Sequence, residues 1–197
     1  FHQKKLLDRV IGHLNELGQE VILVLAQQQS NPCSDCSQQV KIARDQLRGK
    51  GPLVGIYSGL KASGDEYSMV VACDMPFLNI GLINYMIGLA PDFDIVIPRV
   101  GELVEPLHAV YSRNCLNIME KMIGSGNLKI SNLLEQTRVR YVEKEEIDRF
   151  DPEHLSFFNI NTPDDVEKAE KIIMNPSPLE GEAMRGKTAR SRSNDIC

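Results

Sequence analysis

The 197-residue chain has no tryptophan and only 6% aromatic residues, yet its 42% hydrophobic and 25% charged content is ordinary for a globular protein. That content supplies a core for one domain and excludes a fibrous or low-complexity class. No apolar stretch approaches the roughly 18 to 20 residues of a membrane span. The opening Phe1-His2-Gln3-Lys4-Lys5 has no signal-peptide pattern. The sequence therefore predicts a soluble, unexported protein without a membrane partner. Lys and Arg form no sustained run and the formal charge is -5, which excludes the basic stripe expected of a nucleic-acid binder. Any phosphate chemistry has to be local.

Cysteines are few and odd in number: Cys33, Cys36, Cys73, Cys115 and Cys197. This is a poor disulfide framework for a chain of this size and fits a reducing compartment. Cys33 and Cys36 have zinc-knuckle spacing, but no second Cys/His pair follows at a suitable distance. A polar loop that holds two thiols is the better reading.

What is present is an alternation of periods. Leu6, Leu7, Val10, Ile11, Leu14 and Leu17 recur at helical spacing, Gly18 marks a stop, and residues 21–25 form a short apolar run. Residues 27–39 read as a Gln-rich loop and 40–43 as a second strand, followed by Asp45, Gly49 and Gly51. A third apolar run, 67–73, ends at Asp74 and Pro76. Helical spacing returns through Ile80, Leu82, Ile83, Met86, Ile87 and Leu89, and residues 95–97 repeat the buried-strand pattern. The second half adds strands near 109–111 and 139–142 and helices near 116–123 and 130–136. A last helix runs from Thr162 as cap and Pro163 as first residue, with Asp164 and Asp165 at its positive end, to about Met174.

Buried strands alternating with helices predict an α/β fold with a mainly parallel sheet covered on both faces, and ligands at the carboxyl ends of its strands. Residues 175–197 change to Pro, Gly, Ser, Arg and Glu and predict a disordered tail. A basic arm through Arg185, Lys187, Arg190 and Arg192 is diluted by Glu180, Glu182 and Asp195.

Four stretches could carry chemistry. Asp74 follows a strand and suits magnesium, which takes one or two carboxylates plus substrate phosphates; a cap or turn role competes. Gly51-Pro52-Leu53-Val54-Gly55-Ile56 combines a flexible glycine, a helix-starting proline and a second glycine permitting close approach, and a helix N-terminus attracts anions. Glu105 and His108 flank one strand edge in EPLHAVY, on opposite sides if the strand is regular. A lone strand histidine is more often structural than catalytic. Asn159 and Asn161, in FNINT, would share one side of a strand end and could bind a polar ligand or cap a turn.

In order and spacing, Asp45 before GPLVGI, then CDMP at residues 73–76, EPLHAVY and NINTPDD resemble the molybdenum cofactor guanylyltransferase family. The resemblance covers residues 6 to about 174. It implies a Rossmann-like, nucleotide-diphospho-sugar-transferase-like fold in a cytoplasmic enzyme. It also implies GMP transfer from GTP to molybdopterin, or its molybdenum-loaded form, with pyrophosphate leaving. By resemblance Asp74 binds Mg2+ and is the catalytic position, Asp45, Gly51 and Pro52 hold the GTP with it, and Asn159 and Asn161 line the cofactor side. Glu105 and His108 border that pocket, with no proton-transfer role assigned. The resemblance leaves room for transient contact with other cofactor-biosynthesis proteins or molybdoenzymes.

The family's first strand and glycine-rich loop ending in lysine have no counterpart in these 197 residues. The expectation is thus a nucleotidyltransferase domain over 1–174 whose first strand is missing. The alternatives are a cytidylyl or other transferase of the same superfamily, or a non-catalytic truncated fragment.

Overall fold

The computed structural model describes residues 3–32, 40–45 and 51–174. The chain falls into two compact units, Phe1–Asn159 and Ile160–Cys197. The tail at 175–197, its basic arm, and Cys33 and Cys36 lie outside the described residues.

In the first unit, helix α1 (Gln3–Asn15) ends in a turn closed by Gly18 at φ 67°, as the stop signal predicts. Strands β1 (Val21–Leu25) and β2 (Val40–Arg44) pair in parallel, Val21 opposite Val40. Helix α2 (Pro52–Ser63) then leads to β3 (Tyr67–Val71), and α3 (Ile80–Leu89) to β4 (Ile95–Val100). Next come β5 (Leu103–Val104), β6 (His108–Ser112), α4 (Cys115–Gly124), α5 (Ile130–Leu134), β7 (Val139–Glu143) and the short α6 (Lys144–Ile147). In the second unit, α7 (Pro163–Met174) begins as expected. The Asp165 amide donates to Thr162 Oγ1 at 3.3 Å while the Thr162 amide donates to Asp165 Oδ2 at 3.0 Å, so two end groups are satisfied reciprocally.

The expectation of a mainly parallel sheet needs correction. β3 through β7 form one five-stranded sheet in which β6 runs antiparallel to both β3 and β4, β5 is antiparallel to β4, and only β7 is parallel to it. The cause is connection length. Two residues join β4 to β5, and so short a link can only reverse the chain, whereas a parallel pair needs a long crossover; β5 and β6, both antiparallel to β4, then run in the same direction with residues 105–107 between them.

Helices on both faces are observed. Ile95, Ile97, Ala109 and Tyr111 pack with Leu53, Ile56 and Leu60 of α2 and with Met119 of α4. The alternate residues Val96, Val110 and Val142 pack with Leu82 and Met86 of α3 and Ile147 of α6. Period-two alternation along each strand divides the two cores.

Among the described residues β1 pairs only with β2, and β3 only with β6, among the other strands. The two sheets are nevertheless joined by helices. α1 packs Leu7 and Ile11 against Val21 and Val40, and sets Val10, Leu14 and Leu17 with Met69 and Val71. Helix α2 touches β1, β2 and β3, and its approach to β1 is tight. A Cβ added at Gly59 would lie 3.3 Å from Val24 Cγ2, whereas one at Gly55 would meet nothing within 4 Å. Close packing against a strand therefore belongs to Gly59, and the surface at Gly55 is open to protein atoms.

Candidate functional site

The end of β3 is fixed from several directions. Val71 lies opposite His108 in register, and the Ala72 amide donates to Leu107 O at 2.9 Å. The expected strand to residue 73 thus ends at Val71, and Cys73 and Asp74 form the turn. Met75 through Leu78 then drop into the core. Asn79 caps α3, accepting from the Leu82 amide at 2.9 Å, donating from Nδ2 to Phe150 O at 2.8 Å and, through its amide, to Ser156 Oγ at 3.1 Å. Asp74, partly exposed, is the one carboxylate on this anchored turn. Burial, then the charge of Asp74, pushes the neighbouring Cys73 thiol up, so the thiolate is disfavoured beside it.

Asp45 and α2 form a second part. The Asp45 amide donates to Leu25 O at 2.9 Å and extends the β1–β2 pairing by one residue. Its carboxylate accepts from Ser58 Oγ at 3.2 Å. Arg44 Nη1 donates to Gln29 O at 2.8 Å, which ties down the turn after β1; no motif pointed to that role. Gly51 sits at φ 132°, ψ 166°, with Pro52 next and no side chain capping the helix. Such a dihedral pair is open essentially only to glycine. The amides of the first turn of α2 therefore have no side-chain acceptor at the cap.

Connectivity brings these two parts to one edge. β2 ends at Arg44 and α2 ends near the start of β3. The N-terminus of α2, Asp45 and Asp74 accordingly all lie at the carboxyl ends of β1, β2 and β3, the edge where open α/β sheets take ligands.

EPLHAVY folds differently from a regular strand. The His108 amide donates to Glu105 O at 3.0 Å, so Glu105 is in a turn before β6 and the opposite-sides argument does not apply to it. Glu105 is half-buried, and that burial raises its carboxyl above the ordinary value. His108 is fully buried with neither ring nitrogen hydrogen-bonded, its ring edge-on to Phe157 at 5.2 Å. Burial lowers its pKa to about 4, so it is neutral near pH 7. Its packing is that of a core residue. Asn159 is partly buried and follows Phe158, whose ring meets Phe77 edge-on at 5.9 Å. Residues 158–161 form no strand, which corrects the strand-end expectation for Asn159 and Asn161. Asn161 is exposed and begins the second unit's capped turn, donating its amide to Asp165 Oδ2 at 3.3 Å.

Among the described residues no group of three or more His, Cys, Asp or Glu side chains could hold a metal. Asp74, with Asp45 and the first turn of α2 on the same edge, suits a cation that arrives on phosphates. No helix of the described residues is long and apolar enough to cross a membrane.

This architecture is that of nucleotide-transferring α/β enzymes. The 4-diphosphocytidyl-2C-methyl-D-erythritolsynthase of Anaerococcus prevotii superposes with a TM-score of 0.65 over 86% of each chain, although only 16% identical. Molybdopterin-guanine dinucleotide biosynthesis protein A of Archaeoglobus fulgidus superposes with a TM-score of 0.71 at 30% identity, over 86% of this chain and 85% of that one. Residues 1–141 match the family described as the MobA-like NTP transferase domain. The molybdenum cofactor guanylyltransferase of Desulfosudis oleivorans is 35% identical over 171 residues, covering 86% of this chain and 83% of that one. A probable molybdenum cofactor guanylyltransferase of Methanosarcina mazei is 37% identical over 175 residues, covering 85% and 78%. The chain belongs to the MobA-like NTP transferase family, and it is a nucleotidyltransferase.

Proposed function

We propose that the protein transfers GMP from GTP to the terminal phosphate of molybdopterin, with or without bound molybdenum. A phosphate oxygen of the acceptor forms a bond to the α-phosphorus of GTP. The bond from that phosphorus to the bridging oxygen breaks, and pyrophosphate leaves with the electron pair. The observation that carries this reading is Asp74, the one carboxylate on an anchored turn at the end of β3, in a chain of this family.

The residues present fit Mg2+ carried by the triphosphate, with Asp74 supplying the protein ligand and waters filling the remaining positions. Bound there, the ion would neutralise charge developing on the phosphates. Asp45, Gly51 and Pro52 hold the guanine nucleotide, and the amides of α2 orient its anionic groups. Glu105 and Asn159 serve the acceptor side, and His108 shapes it from within the core. Nothing in this scheme requires a proton from His108.

Asp74→Asn tests the metal role. Transfer should fall by at least about 100-fold, as loss of a charge-stabilising group implies, while the circular dichroism spectrum stays unchanged. Unaltered transfer would refute it.

A further inference from the structure

Arg9 lies on α1 and belongs to none of the motifs, yet it makes two contacts with the turn that carries Asp74. Its Nε donates to Pro76 O at 3.0 Å, a partly buried bond between residues 67 positions apart. Its guanidinium also sits 5.5 Å from the centroid of the Phe77 ring, within range of a cation–π contact. Phe77 in turn meets Phe158, the residue before Asn159, edge-on. Further along the same helix, Val10 and Leu14 pack with Met75, Leu78 and Val71.

We infer that Arg9 is a positioning residue, which sets the Asp74 turn and, through Phe77 and Phe158, the backbone at Asn159. The inference rests on the reading of Asp74 as the ligand of a nucleotide-borne cation. Its physical basis is the directional character of the two contacts. Apolar packing alone lets a turn slide, because it is non-directional. A hydrogen bond to one carbonyl, made by a planar cation that also lies over the next residue's ring, holds both the height and the twist of residues 74–77. Lysine could replace the charge but not the fork or the flat face.

The test uses the 197-residue chain with Mn2+ and GTP as probes, reading free Mn2+ by electron paramagnetic resonance, alongside the thermal midpoint of unfolding. Four variants are compared: Arg9→Met, Arg9→Lys, Leu14→Ala and Asp74→Asn. Leu14→Ala removes packing from the same helix without touching the Pro76 bond, so it reports what destabilisation alone does. Arg9→Met should weaken Mn2+ binding about 10-fold, the lower end of what loss of an outer-shell partner costs. Arg9→Lys should recover only part of that. Leu14→Ala should lower the thermal midpoint at least as much as Arg9→Met, with Mn2+ affinity within about 2-fold of the unaltered chain, since folded protein alone binds. Equal affinities in Arg9→Met and Leu14→Ala, with Asp74→Asn strongly impaired, would overturn the inference and leave the Asp74 reading standing. Unimpaired binding in Asp74→Asn, or none by the unaltered chain, would overturn that reading and the inference with it.

Discussion

Replacing His108 with leucine should make the protein more resistant to mild acid, and the size of the effect follows from burial. The ring is fully buried, neither nitrogen has a hydrogen-bond partner, and burial lowers its pKa from 6.5 to about 4. In the unfolded chain the same imidazole takes up a proton near 6.5, so between pH 6.5 and about 4 the unfolded state binds more protons. Stability from keeping His108 neutral is thus complete above pH 6.5 and is lost as pH falls toward about 4. At about 1.4 kcal/mol per pH unit across that interval, the loss is roughly 3 kcal/mol. That is a substantial share of the 5 to 15 kcal/mol of total stability typical of a domain.

Urea unfolding followed by far-ultraviolet circular dichroism between pH 8 and pH 4 measures it. The carboxylates contribute mainly below this window. Glu146, for example, is pushed up by burial but held at about 2 by hydrogen bonds from Arg140 and Tyr85, so its contribution disappears between about 4.5 and 2. They are common to both proteins and cancel in the difference. His108→Leu should match or exceed the parent at pH 7, because an apolar group replaces two unsatisfied polar atoms. It should gain on the parent by roughly 3 kcal/mol by pH 4. His108→Gln removes the titration but keeps a buried polar group, so it should be weaker at pH 7 yet equally flat with pH. If His108→Leu is weaker at pH 7 by more than about 2 kcal/mol, the scale of a broken buried hydrogen bond, and follows the parent's pH dependence, then His108 is hydrogen-bonded in solution and the reasoning fails.

Two further substitutions probe the scaffold of the site. Gly51→Ala forces a Cβ into φ 132°, ψ 166°, a strain of about 1 to 3 kcal/mol, so the denaturation midpoint should fall although the added methyl meets no neighbour; an unchanged midpoint would contradict the dihedral argument. Asp151→Ala should be costly, since the buried carboxylate accepts from the Leu155 amide at 3.0 Å and the Ser156 amide at 2.7 Å. Leaving two such donors unsatisfied costs about 3 kcal/mol, readable as a drop in thermal midpoint. A loss under about 1 kcal/mol would mean that water replaces the carboxylate.

Much of this fold was legible in the residues because period and punctuation agree. Leu6 to Leu17 with Gly18 gave α1, the run at 21–25 gave β1 to the residue, and Thr162-Pro163 gave the start of α7. Sheet direction was not legible. It depends on β5, a two-residue strand too short to show a period, and on the reversal it imposes on β6. The placement of Asp74 after a strand was readable, since an apolar run ending in Asp and Pro marks a strand end. Arg9, Arg44, Asn79 and Asp151 were not, because each acts on backbone groups remote in sequence or in turns. The packing role of Gly59 was not legible, since spacing within a helix does not reveal which face meets a strand.

The most direct test of the account is pyrophosphate release by the protein supplied with Mg2+, molybdopterin and either GTP or CTP, with the dinucleotide product identified by mass spectrometry. The account predicts release with GTP, dependent on both molybdopterin and Mg2+, and formation of the guanine dinucleotide. Release with CTP in place of GTP, or with GTP but without any dependence on molybdopterin, would contradict it.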